Sequence, residues 1–159
     1  MGEIGSSLTR HRLVGLDTSV FIYRLERGTP FGDPAALVLE AVASGIVRGV
    51  TSALTLMELT VKPLQTGRAE LADRYETLVT TFPHLSVAEL DRPTLRRAAE
   101  LRARYRLRPV DALHVAACLQ HGATAFATND RDFRRLGKID VLLLSDFVEH
   151  DGRIGDGQS

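Results

Sequence analysis

The chain has 159 residues, 44% apolar and 25% charged, with 20 basic and 20 acidic side chains and a formal net charge of zero. That length suits one domain with its own core and gives no reason for two. The single cysteine, Cys118, excludes an internal disulfide and any cysteine-based zinc site, and it suits a reducing cytoplasm.

The opening MGEIGSSLTRHR is polar and lacks the apolar segment of a signal peptide. No apolar run approaches the ~20 residues that span a bilayer, so no membrane role is expected. Residues 1–12 are therefore expected to be a flexible extension, 13–148 a single domain, and the Gly-rich 149–159 a flexible tail. LVGL, over 13–16, ends at Asp17 and predicts a buried strand. Thr18 or Ser19 then caps a helix over 20–26. Asp33-Pro34 starts a second helix that closes at Gly45. IVRGVT predicts a strand over 46–51, and Ser52 caps a helix ending near Pro63. A fourth helix is expected over 68–80 and a small strand over 85–87. Asp91 caps a fifth helix, with Pro93 in its first turn, running to about Tyr105. Pro109 begins a sixth, closed by Gly122. ATAFAT predicts a strand over 123–128, followed by a helical turn over 129–136 and a last strand over 139–144. Strands alternating with helices predict an α/β fold, a three-layer α/β/α sandwich with a mostly parallel central sheet.

In such sheets ligands bind beyond the carboxyl ends of the strands. Asp17 follows the first strand, and Asp130 lies two residues past the strand ending at Thr128. Glu58 is in the helix after the second strand, and Asp111 is in the first turn of the helix before ATAFAT. All four can share one end of the sheet. Singly, each has a structural explanation. Asp111 complements a helix dipole. Asp130 and Asp17 can close turns, and Glu58 can pair with Lys62 four residues on. Jointly, clustered carboxylates repel, and a hard divalent cation relieves that repulsion. Such a cation suits phosphodiester hydrolysis, because it acidifies a bound water and neutralises charge on the phosphoryl group.

The remaining chemistry is less suggestive. His114, three residues after Asp111, reads either as a ligand or base or as a core histidine in LHVAACL. His11, His84, His121 and His150 form no ligand spacing. Ser19 lacks an evident His/Asp arrangement, and Cys118 reads as core packing. No phosphate-cradling glycine motif is present. Net neutrality does not favour a nucleic-acid binder. However, seven arginines and one acid lie between Arg92 and Arg108, either a solvated helix face or a source of phosphate contacts from Arg102, Arg104, Arg106 and Arg108.

Four stretches, GLDTSVFIY, VTSALTLMEL, RPVDALHVAAC and FATNDRDF, resemble in order and spacing the acid-bearing motifs of the PIN-domain nucleases. Among these they look most like the VapC-type toxins of toxin–antitoxin pairs. The resemblance spans about 13–147. It implies a PIN-like fold and a Mg2+-dependent endoribonuclease (with Mn2+ as substitute) that leaves a 5′-phosphate and a 3′-hydroxyl. Asp17, Glu58, Asp111 and Asp130 would be the catalytic acids. Asp17, Asp111 and Asp130 would ligate the metal, and Glu58 would act through water. Ser19 falls where the family places a small polar residue, Thr128 matches a hydroxyl supporting the fourth acid, and Asp132 could share the role of Asp130. The family further implies an RNA substrate, a homodimer and a cognate antitoxin. About a dozen residues before the first strand exceed the usual pattern. Three rivals remain open: a housekeeping RNA-processing nuclease of the same fold, a receiver-type phosphoacceptor domain and a non-catalytic binding module. Asp17 stands without the neighbouring acids that a receiver or an aspartyl phosphatase would place beside it.

Overall fold

The computed structural model describes residues 3–26 and 28–148. Its centre is one five-stranded sheet in the order β3-β2-β1-β4-β5, built from β1 (Leu13–Leu16), β2 (Arg48–Ser52), β3 (Leu85–Ala88), β4 (Ala125–Thr128) and β5 (Asp140–Leu143). Every neighbouring pair is parallel. Parallel neighbours need crossover connections, and these put helices on both faces. The helices are α1 (Glu3–Leu8), α2 (Thr18–Leu25), α3 (Gly32–Ala43), α4 (Leu54–Gln65), α5 (Ala69–Thr80), α6 (Arg92–Tyr105) and α7 (Pro109–Gln120).

Side chains alternate along β1 because a strand has a period of two. Val14 and Leu16 enter a core shared with α1 to α5, while Gly15 faces α7. A Cβ on Gly15 would lie 2.8 Å from both Cβ and Sγ of Cys118 and 2.9 Å from a Phe126 ring carbon. The missing side chain lets α7 lie directly on the sheet. The second core joins Val50 and Phe126 of the sheet to Leu101 of α6 and to Ala112, Val115 and Ala116 of α7.

The expected α/β/α sandwich is the fold observed, with the sheet wholly parallel. Several local readings change. The segment expected to be a flexible extension contains α1, whose Ile4 and Leu8 are buried and which packs on α3. His11 then fastens the following turn: Nε2 donates to Asp140 Oδ2 at 2.9 Å, and Nδ1 lies 2.8 Å from Thr124 Oγ1. Asp17, not Thr18 or Ser19, caps α2, its carboxylate accepting from the Thr18 N–H. Ser52 ends β2, although its hydroxyl still accepts from the Leu54 N–H at 3.0 Å. Helix α4 continues past Pro63 to Gln65. The tail expected over 149–159 lies outside the described residues.

Candidate active site

The chain leaves β1, builds β2 and β3 on one side, and returns to build β4 and β5 on the other. The order therefore reverses between β1 and β4, which opens a crevice beyond their carboxyl ends. Asp17 follows β1 and Asp130 follows β4 at this crevice. Because α7 leads into β4, its N-terminal turn, with Asp111, stands at the same end of the sheet.

Asp17 is held by three neutral donors. The Thr18 N–H donates to Oδ1 at 2.9 Å; the hydroxyls of Thr128 and Ser19 donate to Oδ2 at 2.7 and 3.1 Å. Burial pushes its carboxyl above the usual range. The Thr128 bond, nearby His114 and the Ser19 bond oppose this, and the Glu58 charge adds to it. The Thr128 hydroxyl also accepts from the Asp130 N–H at 3.1 Å, so one buried side chain holds both the Asp17 carboxylate and the backbone at Asp130. Ser19 accepts from the Asn129 N–H at 3.3 Å, a second tie between the same two loops.

Glu58 comes from α4 through a buried threonine chain. Thr51 donates to the Leu16 carbonyl at 2.8 Å and also lies 2.8 Å from the Thr55 hydroxyl. The Thr55 hydroxyl lies 3.0 Å from that of Thr18, which donates to Glu58 Oε1 at 2.8 Å. The same oxygen accepts from Nε2 of buried His114. That bond holds the Glu58 carboxyl below its usual range, against the effect of burial. An ionised carboxylate only accepts, so Nε2 carries the hydrogen. Nδ1 of His114 is buried without a partner among the described residues. Of the two readings open for His114, the structure supports both halves: it is a core residue and it is a contact of the site. Its i, i+3 spacing from Asp111 was the available signal.

Asp111 and Asp130 form the second half. Arg108 Nε donates to Asp111 Oδ2 at 2.9 Å, and Arg108 Nη2 donates to Asp130 Oδ2 at 3.2 Å. Asp130 Oδ1 accepts from the Asp132 N–H at 2.9 Å. The Asp132 side chain instead pairs with Arg135 at 3.3 Å, exposed to solvent. The four acids thus fall into two pairs, with Thr128 tying the Asp17 carboxylate to the backbone of Asp130. Among the described residues, no three His, Cys, Asp or Glu side chains converge tightly enough to form a metal-binding group. The donor set nonetheless fits a hard divalent cation. Its oxygens are all carboxylate, Asp17 is half-buried with only neutral hydrogen-bond donors, and the other pair already attracts a guanidinium.

The arginines do not act as one band. Only Arg108 touches the acids. Arg102 Nε donates to the Leu107 carbonyl at 3.0 Å, and Arg106 caps α6 in the left-handed conformation, φ 56°. Arg104 lies over the Tyr105 ring, 5.3 Å from its centroid. With Leu119 and Lys138 it lines a recess at the far end of α7 from Asp111. Residues two apart on a helix do not share a face.

Comparison with known proteins agrees with this arrangement. Ribonuclease VapC23 of Mycobacterium tuberculosis is 32% identical over 119 residues, 74% of this chain and 93% of that protein. Among solved structures, VapBC-5 of M. tuberculosis, a member of the VapBC family of toxin-antitoxin systems, is 25% identical with a TM-score of 0.54. The match covers 83% of this chain and 97% of that one. VapBC2 of Rickettsia felis, solved bound to a promoter DNA fragment, is 16% identical with a TM-score of 0.65, covering 82% and 98%. The family model described as the PIN domain matches residues 14–139, a span that holds all four acids, Thr128 and nearly all of strands β1 to β4, and the chain belongs to that family.

Proposed function

We propose that this protein is a metal-dependent endoribonuclease, the toxin of a toxin–antitoxin pair. The observation that carries the reading is the placement of Asp17 and Asp130 at the β1/β4 crevice, where the Thr128 hydroxyl ties the Asp17 carboxylate to the backbone N–H of Asp130. A threonine hydroxyl that accepts from the N–H two residues on closes an ordinary turn; the further bond from Thr128 to the Asp17 carboxylate is what ties the end of β1 to that turn. The 32% identity to Ribonuclease VapC23 supports RNA as the substrate class.

Asp17, Asp111 and Asp130 would hold Mg2+ or Mn2+, with Glu58 reaching it through water. A bound cation supplies an acidified water and neutralises charge on the phosphoryl oxygens. The chain's own groups do the rest. Thr128, Ser19 and the Thr18 N–H fix the Asp17 carboxylate before substrate arrives, so no reorganisation is needed at that moment. His114 and Thr18 hold Glu58 by one oxygen, leaving Oε2 without a hydrogen bond among the described residues and able to take a proton from water. The products are a 5′-phosphate and a 3′-hydroxyl.

Helix α4 exposes Met57, Val61 and Leu64 along one stripe. A groove of about 410 Å3 beside Glu58 is lined by Leu25, Leu59, Pro63 and Tyr75. These apolar surfaces support a homodimer and an antitoxin that covers the site, and the likeness to VapBC-5, a member of a family of toxin-antitoxin systems, supports the antitoxin. Purified protein should cleave single-stranded RNA in Mg2+ and lose cleavage in EDTA and in Asp17→Asn. Full cleavage in either condition would overturn the reading.

A further inference from the structure

Arg108 stands where the site meets solvent. The backbone around it is pinned: Leu107 before it is buried, its carbonyl is held by Arg102, and Pro109 after it begins α7. The side chain is not. It is 73% exposed, yet it reaches two acids from different elements, Asp111 of α7 and Asp130 after β4. Asp111 is much the less accessible partner, at 17%. Two carboxylates that face one point repel, and a planar guanidinium with several fixed donors is suited to bridging them. Asp17 and Glu58 show the contrast. Their hydrogen bonds come from hydroxyls, a backbone N–H and His114, all held by packed elements. Arg108 is the one arginine or lysine that pairs with any of the four acids among the described residues. Because the bridge is solvated, it is weak enough to be exchanged, whereas a buried bridge would lock the pair.

Resting on the metal-dependent reading above, we propose that Arg108 is a displaceable counter-cation. In the metal-free protein it clamps Asp111 to Asp130; when a divalent cation takes those carboxylates, the guanidinium turns outward and holds a phosphate of the RNA. Two consequences follow. Arg108 competes with the metal, so the free protein binds metal less tightly than its acids alone would. RNA that engages Arg108 releases the two acids, so RNA and metal promote each other's binding, and by linkage the effect is reciprocal. Arg108 is thus a positioning residue toward the metal and a contact residue toward the RNA.

The test is calorimetric titration of the full-length protein with Mn2+, alone and with an uncleavable 2′-O-methyl RNA oligonucleotide. The Arg108→Gln variant should bind Mn2+ about tenfold tighter than wild type, the order expected for losing two exposed ion pairs. It should bind the oligonucleotide more weakly and lose most of the gain in Mn2+ affinity that the oligonucleotide gives wild type. Arg108→Lys keeps the charge but not the fork and should fall between. Arg104→Gln removes one positive charge away from the acids and should leave Mn2+ affinity within about twofold. If Arg108→Gln binds Mn2+ equally or less well while wild type binds it, the counter-cation proposal fails and the metal site stands. An equal gain in Arg104→Gln would reduce the effect to net charge and also overturn the proposal. If no folded form binds Mn2+, the metal-dependent reading fails and takes this proposal with it.

Discussion

Thr128→Val is the sharpest test of how the site is preorganised. The residue is fully buried at the end of β4, and valine preserves its shape without the hydroxyl. The substitution removes a 2.7 Å bond to Asp17 and leaves the Asp130 N–H without its 3.1 Å acceptor. A buried polar group left unmet costs about 1–3 kcal/mol. Both partners keep some access to water, so the sum belongs near about 2 kcal/mol. For a domain of this size, that lowers the melting temperature by roughly 4–8 °C. Loss of a residue that orients metal ligands weakens metal binding by about 10–100-fold. Thr128→Ser separates the two roles: it loses one methyl, worth about 1 kcal/mol, but keeps the hydroxyl and so should keep Mn2+ affinity. Differential scanning calorimetry and Mn2+ titration of both variants read these quantities. A valine variant that melts and binds Mn2+ like wild type would refute the view that Thr128 organises the acids.

Asp17→Asn should abolish cleavage while making the metal-free protein no less stable at neutral pH. Burial raises the Asp17 carboxyl above its unfolded value of 3.8, so the native state holds that proton longer than the unfolded chain does. Stability therefore falls as pH rises through that window, and the penalty persists above it. In EDTA, thermal melts between about pH 4 and 7 should show the melting temperature of the variant gaining on that of wild type as pH rises. A variant melting well below wild type at neutral pH would contradict the account. Gly15→Ala should destabilise by about 1–3 kcal/mol, because the new Cβ meets Cys118 and Phe126. Adding Cys118→Ala should recover part of that loss in a denaturant titration; no recovery would mean the clash lies elsewhere.

Much of the fold could be read from short apolar runs ending in polar residues. LVGL-Asp17 and AFAT-Asn129-Asp130 mark both walls of the crevice directly, and glycines and prolines place most helix ends. Helix α1 was not legible for a physical reason. EIGSSL has only two large apolar residues, and their burial depends on the surface of α3, some thirty residues away. The site divides similarly. The acids stand out because charged residues sit at strand ends and in an otherwise apolar helix. Their grouping into two pairs depends on side-chain partners remote in sequence: Glu58 with His114, Asp17 with Thr128, and Asp130 with Arg108. In the arginine-rich stretch, composition does not specify direction. Helical geometry sends Arg102 and Arg104 to different sides, and the chain turns at Arg106 before Arg108 reaches the acids.

The central claim is that Asp17, Glu58, Asp111 and Asp130 together hold a divalent cation. Calorimetric titration of Mn2+ into wild type and into Asp17→Asn, Glu58→Gln, Asp111→Asn and Asp130→Asn tests it most directly. The account predicts saturable binding by wild type, a loss of about tenfold or more in each of the three aspartate variants, and a smaller loss in Glu58→Gln. Folded wild-type protein that binds no Mn2+, or unchanged affinity in all four variants, would contradict it.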